Sequence, residues 1–223
     1  MKQSRWVALW QRLGGPGTGG AYFAELVRAY EQPWRAYHTT AHLAHCLAEF
    51  DQVRALLVAP DLVEFALWFH DAVYDPRAAD NEAQSAAWAA AVLTAAGLDK
   101  ASIERVTALI LATRHNTEPA DVDSCYLVDR DYLTDVDLAI LGAPPQAFAE
   151  YERQIRQEYA WVPLATFCQK RAQLLTTFLN RPRLYATDYF HARYAVQARC
   201  NLLGSIQQLQ VGQSHTLLRG MGG

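Results

Sequence analysis

Apolar residues recur at helical spacing along almost the whole chain, and no stretch shows the two-residue alternation of a half-buried strand. Leu43, Cys46, Leu47, Phe50 and Val53 form one stripe, and Leu62, Phe65, Ala66 and Phe69 form another. Ala-rich or long periodic patterns follow at 83–96, 103–112, 145–160, 164–179 and 189–209. The punctuation agrees: Asp61 after Pro60 reads as an N-cap, Gly97 as a C-terminal stop, and Pro144-Pro145 after Gly142 as a helix start. The expected fold class is all-α, a helical bundle.

The chain has 223 residues, enough for a substantial core in a single domain spanning 1–223. Residues 1–13 alternate Lys2, Arg5, Gln11 and Arg12 with Trp6, Val7, Leu9 and Trp10, an amphipathic helix and not the apolar centre of a signal peptide. That helix has two expected docking places, its own domain or a second copy, which leaves homo-oligomerisation open. Residues 14–20 (GGPGTGG) read as a flexible linker, because no strand precedes them and no Lys-Ser/Thr ends them as in a phosphate loop. A net charge of −3 provides no global drive toward nucleic acid or anionic lipid. No apolar run reaches the roughly 18 residues of a membrane span. The four cysteines Cys46, Cys125, Cys168 and Cys200 lie far apart without a CxxC pair, against a disulfide framework or zinc ribbon. The cytoplasm is the expected location.

Only seven histidines are present, and several sit where metal chemistry would use them. In Tyr37-His38-Thr39-Thr40-Ala41-His42, a helix running through His38 puts both imidazoles on one face. A helix starting at Thr39 or Thr40 instead leaves His38 in the preceding loop and His42 in the first turn. His70-Asp71 ends an apolar helix after Leu67-Trp68-Phe69, and a carboxylate in such surroundings needs a partner such as a cation. Asp135-Val136-Asp137 stands as a carboxylate pair entering the apolar run Leu138–Leu141; Asp135 reads equally as a helix cap or a site residue. Asp75, four residues after Asp71, is a candidate for orienting a water or a second metal. Glu82 is either a helix N-terminal charge or an outer or second-metal ligand, and His115, after the 103–112 pattern, is either a charge at a helix C-terminus or a second-metal ligand. Arg114, Arg77 and Arg171 are candidate phosphate-binding cations.

In order, His42, His70-Asp71 and Asp137 form a His…His-Asp…Asp pattern, accompanied by "YHTTAHL", "FHDAVYD", "DNEAQSA", "LILATRH", "DVDLAILG" and "EYAWVP". Over roughly residues 30 to 205 the chain resembles the HD-domain superfamily, in particular its group of predicted metal-dependent phosphohydrolases. The resemblance implies that His42, His70, Asp71 and Asp137 are the metal ligands. "YHTTAH" is also similar to the "YHNxxH" signature of cyclic-nucleotide phosphodiesterases, which implies His38 as general acid, with Thr39 standing where those enzymes carry Asn. Mixed nitrogen and oxygen ligation suits Mn²⁺, Fe²⁺, Co²⁺, Ni²⁺ or Zn²⁺ better than Mg²⁺. The expected activity is hydrolysis of a phosphoester or pyrophosphate bond in a small phosphorylated molecule, a nucleotide by class. The alternatives are a di-iron HD-fold oxygenase, if His115 with Asp75 or Glu82 completes a second metal site, and a non-catalytic nucleotide-binding module.

Overall fold

The computed structural model describes residues 2–114 and 124–220, with side chains described for 2–114 and 126–211. Among these residues the chain is all-helical. The helices are α1 (Gln3–Arg12), α2 (Gly20–Tyr30), α3 (Thr40–Val53), α4 (Pro60–Phe69), α5 (Asn81–Ala95), α6 (Lys100–Ala112), α7 (Ser124–Leu138), α8 (Pro145–Glu158), α9 (Leu164–Leu179) and α10 (Asp188–Gly220). Tight 3-10 turns follow α3 at Arg54–Leu56 and α7 at Ala139–Gly142. The chain forms two compact units that divide between Asp137 and Leu138. No helix among the described residues is long and apolar enough to cross a membrane.

In the first unit α4 is the central element. Its Val63, Phe65, Ala66, Leu67, Trp68 and Phe69 are all buried, and α3, α5, α6 and α1 pack around it. A helix with buried residues on nearly every side is a core helix, which explains its almost unbroken apolar sequence. Helix α1 docks within this unit: Trp6, Leu9 and Trp10 are buried, and Trp6 meets Trp68 edge to face with ring centroids 5.5 Å apart.

The glycine-rich segment is fitted to those tryptophans. Trp10 Nε1 donates to Pro16 O at 2.8 Å and Trp6 Nε1 to Gly19 O at 2.9 Å. A Cβ added at Gly15 would stand 2.3 Å from the Trp10 ring, and Gly19 has φ +62° with a Cβ position 2.8 Å from the same ring. These glycines permit close approach as well as turning, so the segment does more than the flexible connection its composition suggests.

Two helix boundaries differ from the sequence expectation. Helix α4 begins at Pro60 with Ala59 in the capping position, so Asp61 is not its cap. Asp61 lies in the first turn and accepts from Arg12 and Arg54 at 2.8 and 2.6 Å. The amides before the helix go to Asp129 of α7, whose two oxygens accept from Val58 N at 2.7 Å and Ala59 N at 2.9 Å. Asp129 also pairs with Arg105 of α6 at 2.7 Å. The second correction concerns Asp135 and Asp137, which sit in the last turn of α7 and do not enter a helix. The helical period runs back through Leu133 and Asp129, both buried on the inner face of α7.

In the second unit α9 and α10 pack together, and α10 also covers the 139–142 turn. Gly142 is required there, because a Cβ would fall 2.5 Å from Tyr194 Cβ and 2.8 Å from its carbonyl oxygen. Asn201 of α10 donates its amide to the carbonyls of Leu141 and Ala143, both at 2.8 Å.

Candidate metal centre

Three chain segments of the first unit bring the donors together. Helix α3 starts after Thr39, whose hydroxyl accepts from Ala41 N at 3.3 Å and caps the helix. His42 therefore projects from the first turns, and His38 lies in the loop before it. His70 is the C-cap residue of α4, with Asp71 next to it in the turn that follows. Asp137 comes from the last turn of α7.

The Nε2 atoms of His42 and His70 lie 3.1 Å apart. Asp71 Oδ2 is 3.3 Å from His42 Nε2 and 3.1 Å from His70 Nε2, and Asp137 Oδ1 is 3.3 and 3.5 Å from the same two atoms. Donors held about 2.0–2.2 Å from one cation are separated by about 2.8–3.1 Å at octahedral angles and about 3.3–3.6 Å at tetrahedral ones. The spacing thus matches the edges of a coordination polyhedron. The imidazole side chains are 1% exposed, whereas those of Asp71 and Asp137 are 18% and 14% exposed. The cluster meets solvent on its carboxylate side.

Cys46, one turn beyond His42, joins the group: donor atoms of His42, Cys46, His70 and Asp137 lie within 4.8 Å of one another, an arrangement compatible with a transition metal. Its sulfur is 3.6 Å from His42 Nε2 and 3.7 Å from Nδ1. A sulfur almost equidistant from both ring nitrogens stands beside the ring and off the axis of the Nε2 lone pair. Asp71 Oδ2, at 3.1–3.3 Å from both Nε2 atoms, converges better. The sequence offered no sign of this contact beyond the four-residue spacing.

The charge balance of the cluster favours a cation. Burial, the largest influence on His42, disfavours its charged form. Cys46, Tyr37 and the carboxylates of Asp137 and Asp71 outweigh burial and hold its pKa well above the ordinary imidazole value. Burial likewise opposes charge on His70, but Asp71, Asp137 and Tyr30 raise it well above that value. Asp71 is held well below the usual carboxylate range, against burial, by His70, His38 and His42. Two carboxylates and a thiol around two buried imidazoles attract positive charge, which a divalent ion supplies as well as protons do. The donors present fit such an ion.

Orientation comes from outside the cluster. His70 Nδ1 lies 2.8 Å from Leu67 O, so an Nδ1–H donated there satisfies a helix-end carbonyl and leaves the Nε2 lone pair for the cluster. Arg35, buried, donates to the carbonyls of His38 at 2.9 Å, Asp71 at 2.7 Å and Ala72 at 3.0 Å. It ties the His38 loop to the His70-Asp71 turn, and sequence reading did not single it out. His38 stacks on Tyr74 with centroids 4.1 Å apart and meets the His42 ring edge-on at 5.9 Å.

Asp75 is exposed and its Oδ1 accepts from Arg77 N at 2.9 Å, closing a local turn. Arg77 is exposed in that turn. Glu82 in the first turn of α5 stands 3.6 Å from Arg114 at the end of α6, so each has the other as an ionic partner. Asp135 is buried in the last turn of α7. Arg171, in the second unit, is buried and engaged by Glu152 and by Tyr151 Oη, an internal ion pair where the sequence suggested a phosphate ligand. His115 lies outside the described residues.

No family model, curated protein or solved structure matches the chain.

Proposed function

We propose that the first unit is a metal-dependent phosphohydrolase centre of HD type, with His42, His70, Asp71 and Asp137 as the ligands of a divalent transition metal. The observation that carries the reading is the convergence of two buried imidazole nitrogens and two carboxylate oxygens at 3.1–3.5 Å. It accords with the resemblance in "YHTTAHL", "FHDAVYD" and "DVDLAILG". When bound, such a cation supplies Lewis-acid neutralisation of phosphoryl charge and acidifies a water. The rest belongs to the chain. Asp71 and Asp137 border the solvent side from which a phosphorylated small molecule would approach. His38, held by its stack on Tyr74 and by Arg35 at its carbonyl, is the residue that would hand a proton to the departing oxygen. The substrate is a small phosphorylated molecule, a nucleotide by class.

The test is metal analysis of protein purified without chelator or immobilised metal, beside Asp71→Ala, followed by phosphate release from nucleotides with the metal found. About one or two transition-metal equivalents per chain, lost in the variant together with activity, are expected. Full activity in Asp71→Ala, or no metal after exposure to Mn²⁺, Fe²⁺, Co²⁺ or Ni²⁺, would refute the reading.

A further inference from the structure

A groove of about 500 Å³ lies between the end of α2, the loop around Trp34 and the loop after Asp71. Its size falls within the about 300–1,000 Å³ of small-molecule sites. Two tryptophans, Trp34 and Trp88, line it, and Tyr74 forms part of its wall. Trp34 is 49% exposed although its indole N–H is already spent on Tyr74 O at 2.9 Å. The ring is thus tethered by its N–H while about half of the residue's surface stays exposed. Hydrogen-bonding groups surround it. Arg28 is exposed with no ion-pair partner among the described residues, and Asp75 spends only Oδ1 on the local turn. Glu25 adds a second carboxylate, so the wall carries two negative charges against one positive.

That combination selects against a phosphate and for a flat, uncharged ring with donors and acceptors on its edge. We propose that this groove binds a nucleobase, stacked on Trp34 and addressed at its edge by Arg28 and Asp75. Aromatic platforms take bases of every kind because each presents a π-face, and edge groups choose among them. Two residues connect the groove to the candidate metal centre: Ala72, which follows Asp71 in the chain, and Tyr74, whose ring stacks on His38. That the base belongs to the substrate rests on the phosphohydrolase reading; base binding itself does not.

The experiment is calorimetric titration of the full-length protein with adenosine, guanosine, cytidine and uridine, which lack phosphate. It is repeated in the Asp71→Ala background so that loss of metal does not decide the outcome. At least one nucleoside should bind saturably in both backgrounds. Trp34→Ala should weaken it at least fivefold and Arg28→Glu at least threefold. Arg28 makes no ion pair among the described residues, so the second variant guards against a folding defect in the first. No saturable binding by any nucleoside, or unchanged affinity in either variant, would overturn the proposal. So would binding confined to phosphorylated nucleotides and lost in Asp71→Ala, since it would place the ligand at the metal cluster alone.

Discussion

Arg35 shows how one buried cation can organise a site without facing it. Its guanidinium serves three carbonyls from two loops, and the Tyr30 and Tyr74 rings flank it at 5.2 and 5.4 Å. Removing it leaves those carbonyls short of donors, so Arg35→Ala should cost about 2–4 kcal/mol in denaturant unfolding. Metal affinity should fall about 10–100-fold, the usual effect of losing an outer-shell partner. Arg35→Lys should recover only part of either, because an ammonium cannot reproduce the planar fork. His45 offers a separate test through pH. Burial lowers its pKa below the ordinary 6.5, with Glu49 and Asp137 opposing and His42 assisting, and its Nε2 has no hydrogen-bond partner among the described residues. Above about pH 6.5 it is neutral folded or unfolded and contributes nothing. As pH falls through that value the unfolded chain takes up the proton first, so stability declines until the folded pKa is reached. The difference in unfolding free energy between wild type and His45→Gln should therefore change below about pH 6.5 and stay flat above it. At this scale His42, His70, Asp71 and Asp137 were singled out in the sequence by the HD resemblance as well as by residue type, and the structure brings their donor atoms together. Arg35 and Cys46 were not, because their importance lies in contacts that only the tertiary arrangement creates.

Among the elements, α4 depends on a residue far away in the chain. Asp129 of α7 accepts from the amides at 58 and 59 and pairs with Arg105, so it joins α4, α6 and α7 at one buried point. Asp129→Ala removes the cap, worth about 1 kcal/mol, and takes a buried ionic partner from Arg105 as well, for a total of about 3 kcal/mol. Asp129→Asn retains an acceptor but weakens the pairing with Arg105, and should lose about half as much by the same denaturant measurement. The sequence pattern pointed to Asp61 because a carboxylate beside a proline fits a helix start. Arg12 and Arg54 draw that side chain into an ionic network with buried Glu64, where Arg12 and Arg54 reach Glu64 Oε2 at 2.8 and 2.9 Å. Helix period is a local signal, which is why α3, α4, α6, α8 and α9 fall where the apolar stripes place them. Capping across 70 residues is not local. The direction of the Asp135–Asp137 segment was misread for a related reason: an acidic pair before an apolar run looks the same whether it closes one helix or opens the next.

For the whole molecule, the all-α class follows from patterns repeated in segment after segment, while the division at Asp137 falls at no glycine- or proline-rich break. All four proposed ligands lie on the first side of that division, so metal binding should report on residues 1–137. Without metal, two buried imidazoles and two carboxylates balance one another only by retaining protons. With metal, α3, the end of α4 and the end of α7 share one centre. Binding to the folded chain alone stabilises it by about 2.7 kcal/mol at a hundredfold excess over Kd. For a chain of this size that corresponds to roughly 5–10 °C in Tm. Thermal unfolding with saturating Mn²⁺ or Co²⁺ against chelator should show this rise, and Asp71→Ala should not. Hydrogen exchange should localise it, with added protection in peptides covering 38–46, 66–75 and 130–137 and the least change in those covering α8 and α9. An equal rise in the variant, or protection gained chiefly in α8 and α9, would move the metal away from His42, His70, Asp71 and Asp137.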